Sequence, residues 1–378
     1  MPLRNCPLCA SGRYQSIPND DAVEKVGANV ICLQCGLIYH NPVMSPQAMA
    51  RYYAQEFSGH YHESKEMQQG LAQRRLSFLQ KALEEAPGPD VALASLSPVL
   101  EVGCAYGDFL AALMQQGVEA EGVEASQQLA QIARRDRGVQ VNNLSYEQSP
   151  QRPEYFGMVA SFHVLEHFYD PLAALQRMWR ELKAGGVLYV VVPTLAESQL
   201  AQVFKAIHPT TFVAETLALM LNRAGFEVLS LCEQGYDLVA VARKGQKSEG
   251  TAADAGKIFS RATAYLKRRR DIIDGMVKKL QALEGVPGVA IYGAGHNTLD
   301  LNEVFPLSRL DVVGVYDADP QKQGQPLLGQ TIAAPAALQH FGGTAVIISS
   351  YQFQEEIAAQ LHYLEQRGVE LIKLYDKS

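Results

Sequence analysis

The chain has 378 residues, with 33 Lys and Arg against 40 Asp and Glu, for a net charge of −7. A length of that order accommodates two or three domains, and a make-up of 47% hydrophobic and 19% charged residues excludes a disordered chain. The acidic balance argues against a general nucleic-acid binder.

The N-terminal run Met1-Pro2-Leu3-Arg4-Asn5-Cys6 lacks the apolar stretch of a signal peptide. The longest apolar run, Val187 to Val192, is too short for a bilayer and suits a buried strand. A cytoplasmic protein with neither membrane nor nucleic-acid partner is expected. Residues 1–58 carry four of the six cysteines as two knuckles: Cys6-Pro7-Leu8-Cys9 and, after 22 intervening residues, Cys32-Leu33-Gln34-Cys35. Four thiolates so spaced can enclose a tetrahedral Zn²⁺, and a full shell leaves no room for a reactive water. A structural Zn²⁺ on Cys6, Cys9, Cys32 and Cys35 is therefore expected, in a segment too small to fold well without it.

Tyr52, Tyr53, Phe57, His60, Tyr61 and His62 follow as a polar-aromatic stretch, read either as filler or as one wall of a cleft. In a connector over 59–95, Leu71, Leu76, Phe78, Leu79 and Leu83 recur at helical spacing until Pro87-Gly88-Pro89.

A core over 96–244 opens with the strand Pro98 to Val102 and the turn Gly103-Cys104-Ala105-Tyr106-Gly107, with an amphipathic helix beyond. Gly103 and Gly107 allow backbone to approach a ligand closely. The next strand ends at Glu124, 17 residues after Gly107, where a carboxylate can accept the ribose hydroxyls of an adenosine ligand. The turn departs from the Gly-x-Gly-x-x-Gly of pyrophosphate binders. It suits S-adenosylmethionine (SAM), with its sulfonium near the turn and Glu101.

Asn143, beside Leu144, reads equally as a partner for the adenine amino group or as an ordinary turn residue. A fourth strand, Met158 to Ser161, leads into Phe162-His163-Val164-Leu165-Glu166-His167, and Asp170-Pro171 starts a helix that Leu182-Lys183-Ala184-Gly185-Gly186 ends. The alternation predicts a doubly wound α/β sheet with the ligand above its strand C-termini.

Residues 245–378 begin with a Gly/Ser-containing linker and a long helix from about Asp254 to Leu283. The basic run Lys267-Arg268-Arg269-Arg270 reads as a solvated face of that helix. A second strand–turn–helix follows at Val289 to Thr298, and its second strand ends at Asp317. This Rossmann-like unit reads either as a nucleotide or nucleotide-sugar site, with Gly293, Gly295, His296 and Asp317 on the substrate, or as a scaffold for packing or dimerisation.

From about 98 to 244 the chain resembles class I SAM methyltransferases through the Gly-rich turn, Glu124, Val164-Leu165-Glu166-His167 and Leu182 to Gly186. Gly157 departs from the family, which places an Asp there. The three parts together resemble sugar C-methyltransferases, with their four-Cys zinc domain, SAM core and C-terminal Rossmann-like domain. That resemblance implies C-methylation of a nucleoside-diphosphate keto-sugar. The candidate SAM-binding residues are Glu101, Gly103, Ala105, Tyr106, Gly107, Glu124, Asn143, Leu144, Phe162 and His163.

In the family a Tyr-x-Glu-His cluster belongs to the active site; here the matching stretch is Lys205-Ala206-Ile207-His208, so His208 alone is kept. His208 is the first candidate for the base that forms an enolate, His167 the second, and Tyr61 a hydrogen-bond donor to that enolate. Rival readings are an O- or N-methyltransferase of a sugar or other small metabolite, and a binding or scaffold protein on a SAM fold. The oligomeric state is not legible.

Overall fold

A computed structural model describes residues 3–18, 29–55, 65–86, 91–196 and 203–376. The chain divides into two compact units at Tyr265/Leu266, inside the helix Ala255–Gln281. Among the described residues no helix is long and apolar enough to cross a membrane.

The first unit opens with a small ribbon of strands β1 (Tyr14–Ser16), β2 (Asn29–Cys32) and β3 (Ile38–His40). Helices α1 (Pro46–Gln55) and α2 (Lys65–Glu84) follow. Then come β4 (Val99–Val102), α3 (Asp108–Gln115), β5 (Ala120–Val123), α4 (Gln127–Ile132), β6 (Gln140–Asn142) and β7 (Phe156–Phe162). The unit continues with α5 (Pro171–Glu181), β8 (Leu182–Pro193), β9 (Thr210–Thr211), α6 (Ala214–Ala224), β10 (Phe226–Gln234), β11 (Asp237–Lys244) and the first turns of α7 (Ala255–Gln281).

Seven strands form the main sheet in the order β10-β11-β8-β7-β4-β5-β6. From β8 to β6 the pairings are parallel, and β10 and β11 add an antiparallel hairpin. β7 is buried along its whole length, as the continuous apolar run of a strand covered on both faces requires. The sequence order reverses between β4 and β7, which opens a crevice at their C-terminal ends, where open α/β sheets take ligands. This is the mixed α/β fold of class I methyltransferases.

Local signals set the element ends. Asp170 accepts a hydrogen bond from Ala173 N–H at 2.9 Å, and Pro171 takes the first helical position of α5. One expectation needs correction. The segment 182–186 does not end the helix: α5 stops at Glu181, and Leu182 already pairs with Phe156 in β8. The two glycines let the chain bulge before Val187 resumes the ladder opposite Met158. The missing acid at Gly157 has a steric cause, since a Cβ there would run into the carbonyl of Leu96.

The ribbon is not closed within the N-terminal segment. β3 pairs with β9, a two-residue strand from the far side of the sequence, in the register Ile38↔Thr211 and Tyr39↔Thr210. The four-stranded ribbon sheet therefore includes core chain immediately after His208.

The second unit holds β12 (Val289–Tyr292), α8 (His296–Val304), β13 (Val312–Tyr316), β14 (Pro326–Leu327), β15 (Gln330–Ala333), β16 (Ala345–Ile348), α9 (Gln354–Glu365) and β17 (Glu370–Lys373). Its six strands run β14-β15-β13-β12-β16-β17, with every pairing parallel except β14–β15.

Candidate functional site

The turn after β4 is shaped by backbone bonds and by two glycines. Gly103 N–H donates to Val123 O at 2.8 Å, and Gly107 N–H to Cys104 O at 2.8 Å. Gly103 and Gly107 sit at φ +71° and +75°, a region that penalises any Cβ. Gly103 also has no room for one, because the Val164 side chain lies directly against it. The turn and the 163–167 segment are thus in contact.

Glu124 joins this turn to the end of β5. Its Oε2 accepts from Ala105 N–H at 3.0 Å and its Oε1 from Ser126 N–H at 2.8 Å. Burial raises its pKa against those two bonds, which favour the ionised form. Asn143 is drawn in beside it: its Nδ2 donates to Glu124 O at 2.8 Å and Ala125 O at 3.2 Å. The amide nitrogen therefore ties Asn143 to the acid's loop. Leu144 is exposed next to it, and Tyr106 is half-buried.

Glu101 lies beneath the turn, fully buried, with its pKa pushed up to about 8 by burial. Its Oε2 has no hydrogen-bond partner among the described residues. Phe162 packs edge-on against Phe109 and Tyr189, each at 4.9 Å between ring centres. Arg75 of α2, which belongs to no motif in the sequence, covers Phe162 with its guanidinium 4.2 Å from the ring centre. Its charge is the main influence opposing the rise at Glu101.

The histidines cluster on the other side of Val164. His163 sits at φ +56°, with Nε2 3.1 Å from Asp237 and Nδ1 3.8 Å from Glu166. The His167 and His208 rings meet edge to face at 4.8 Å. His167 Nδ1 lies 2.8 Å from Ile207 O, and His208 Nδ1 lies 2.9 Å from Val203 O. A carbonyl only accepts, so Nδ1 of His208 carries the proton and Nε2 the lone pair.

Burial, then the neighbouring His167 charge, holds His208 well below the usual histidine range; burial brings His167 down to about 4. Glu166, also buried, is pushed up to about 7. Polar atoms of Glu166, His167 and His208 all lie within 4.8 Å of one another. Glu166 and Asp237 went unassigned in the sequence. Asp237 had no local signal, since it starts β11 after a tight turn and reaches His163 only through the sheet. Tyr61 lies outside the described residues.

In the ribbon, Sγ of Cys6 and Cys35 are 3.5 Å apart, and those of Cys9 and Cys32 are 3.4 Å apart. The four sulfurs lie within 4.8 Å of one another. A tetrahedron with Zn–S bonds of about 2.3 Å has edges near 3.8 Å, so the set fits a Zn²⁺ with little adjustment. Hydrogen bonds from Cys35 and Cys6 lower the pKa of the Cys32 thiol.

The second unit repeats the Glu124 arrangement. Asp317 Oδ2 accepts from Ala294 N–H at 2.7 Å and its Oδ1 from Asp319 N–H at 2.8 Å, with Lys322 Nζ at 3.3 Å. Gly293 N–H donates to Tyr316 O at 2.8 Å, and Gly295 caps α8. The His296 side chain lies outside the described residues.

A family described as "Methyltransferase domain" matches residues 65–231, and one described as "C2185-like, N-terminal" matches 287–370. A ubiquinone biosynthesis O-methyltransferase of Pseudomonas fluorescens is 32% identical over 100 residues, 24% of this chain and 42% of that protein. Its namesake from Xylella fastidiosa is 33% identical over 113 residues, 28% of this chain and 46% of that protein. The chain thus spans less than half the length of these curated relatives.

Among solved structures, the 1,6-didemethyltoxoflavin-N1-methyltransferase of Burkholderia thailandensis matches at TM-score 0.42 and 18% identity, over 56% of this chain and 96% of that one. A SAM-dependent methyltransferase from Aquifex aeolicus matches at TM-score 0.37 and 15% identity, over 53% and 99% respectively.

Proposed function

We propose that this chain, built on a methyltransferase domain, transfers the methyl group of SAM to a small-molecule acceptor held against His163, His167 and His208. The observation that carries this reading is the contact of Gly103 with Val164, which joins the Glu124-anchored turn to the histidine cluster. Bound SAM supplies an electrophilic methyl group; the chain's part is to hold, orient and deprotonate. Glu124 accepts the ribose hydroxyls, Glu101 faces the positive end, and Arg75 lies where it can meet a carboxylate. His208, neutral near pH 7 with its lone pair on Nε2, takes the acceptor proton as the acceptor atom attacks the methyl carbon and the S–CH₃ bond breaks.

The finer reading is C-methylation of a nucleoside-diphosphate keto-sugar through an enolate. The four-Cys ribbon, the methyltransferase core and the Rossmann-like second unit, with its Asp317 acid, support it as a combination. O-methylation is the second reading, favoured by the names of the curated relatives. Incubation with SAM and keto- and non-keto nucleotide sugars in D₂O, followed by mass spectrometry, separates them. The C-methyl reading expects a methyl gain confined to a keto-sugar, with deuterium entering beside its carbonyl. A methylated hydroxyl without deuterium would overturn it in favour of O-methylation. Zn²⁺ on the four cysteines is proposed as a structural ion.

Two outcomes follow for the SAM side. Glu124→Ala forfeits charge-assisted hydrogen bonds worth about 1.5–3 kcal/mol, a roughly 10–100-fold loss of SAM affinity. The SAM-induced rise in melting temperature should shrink accordingly; an unchanged rise would remove Glu124 from the pocket. Glu101 is protonated in the free protein up to a pKa of about 8, and a nearby cation favours its ionised form. SAM binding should therefore release a proton, and affinity should climb from pH 6 toward about pH 8 and then level. Calorimetry in buffers of different ionisation enthalpy checks the proton release, and a Glu101→Gln variant should abolish it.

A further inference from the structure

We infer that Arg4 is a positioning residue for the acceptor-side histidines, an assignment whose mechanistic meaning rests on the function proposed above. Arg4 belongs to the cysteine ribbon, two residues before Cys6, yet its guanidinium reaches three backbone carbonyls from three segments. Its Nη1 donates to Tyr169 O at 2.5 Å, its Nη2 to Pro209 O at 2.7 Å and its Nε to His40 O at 3.3 Å. Its own N–H donates to Asn41 Oδ1 at 3.0 Å. The guanidinium also lies over the rings of Tyr39 and Tyr169, at 5.5 and 5.3 Å.

Tyr169 is two residues beyond His167, and Pro209 is the residue after His208. One side chain thus holds both histidine-bearing loops. Pro209 O takes a second donor from the ribbon, His40 N–H at 2.9 Å. The β3–β9 ladder then continues the attachment through Thr210 and Thr211. The loops are also tied to each other, by His167 Nδ1 on Ile207 O. The ribbon is therefore the support on which the His167–His208 edge-to-face pair is set, while the Glu124-anchored turn is built from core chain alone.

Only a planar fork with several donors meets this geometry. Lysine carries the charge, but its single nitrogen cannot bridge carbonyls on separate loops in fixed directions. A general base must sit within a fraction of an ångström of its proton, so a loosened loop costs turnover without touching cofactor affinity.

The test compares full-length wild type with Arg4→Ala and Arg4→Lys, using SAM calorimetry and NMR titration of the histidine rings. In the wild type burial should hold His208 neutral at pH values where an ordinary histidine is already protonated. His167, His163 and Lys205 are the charges that act on it alongside burial. In Arg4→Ala the loop opens to water, the His208 titration moves up by about one unit, and SAM affinity stays within twofold. Arg4→Lys should fall between the two. Unchanged His167 and His208 titrations in both variants, with only a lower melting temperature, would overturn the proposal and leave Arg4 a ribbon stabiliser. A parallel loss of SAM affinity would overturn it as well. If Arg4→Ala does not fold, the comparison of Arg4→Lys with wild type decides. Failure of the wild type to bind SAM would count against the proposed function, yet the histidine titrations would still answer for Arg4.

Discussion

Replacing His208 with alanine lowers methyl transfer by about 10²–10⁴-fold, the range general-base catalysis contributes, while SAM affinity stays within twofold. The ring is buried, with a Nδ1–H bond to Val203 O and its edge against His167. No bond from it reaches Glu124 or the Gly103–Gly107 turn among the described residues, so cofactor binding has no cause to change. Burial has made His208 a weak base but an unprotonated one at neutral pH.

Single-turnover transfer with the acceptor found by the sugar panel reads the rate, and calorimetry reads SAM. His208→Gln, which keeps an amide donor for Val203 O and much of the volume, separates lost chemistry from a lost loop anchor. It should be nearly as slow as alanine. A rate within threefold of wild type in both variants would remove His208 from the mechanism and direct attention to His163, whose partner Asp237 lies 3.1 Å away.

The second large effect is loss of the ribbon when its sulfur shell is broken. Four thiols at 3.4–3.5 Å pair separations sit among the buried side chains of Leu8, Val30, Leu37 and Tyr39, and structural zinc contributes on the order of 10–16 kcal/mol in comparable small domains at neutral pH. Cys32→Ser, or removal of the ion by a strong chelator, should unfold the ribbon locally. The amides of Ile31 to His40 should then exchange with solvent within minutes, while those of β4 and β7 stay protected. Elemental analysis should find one zinc per wild-type chain. Because thiolates are the ligands, the ion should leave as pH falls. A zinc-free wild type with a fully protected ribbon would contradict this.

The sequence carried the main sheet well, because its signals are local. Val99 to Val102 runs into a glycine turn, Asp170-Pro171 is a capped helix start, and Val187 to Val192 is a buried strand whose period needs no partner to be seen. Four cysteines in two knuckles are likewise legible, since metal spacing is written along the chain. What escaped was written across it. Thr210–Thr211 looks like a loop end and becomes a strand only because Ile38 and Tyr39 lie alongside. Arg75 and Asp237 belong to an unremarkable helix and hairpin, and they acquire meaning at Phe162 and His163 through the fold. Leu182 to Gly186 looked like a helix end because its glycines signal a break equally well for a bulged strand.

The most direct test of the account is a calorimetric titration of SAM into the purified full-length wild-type protein near pH 8. The account predicts saturable one-to-one binding that S-adenosylhomocysteine displaces. No binding, with the protein folded and its ribbon intact, would contradict it and leave the Gly103–Gly107 turn and Glu124 as scaffold.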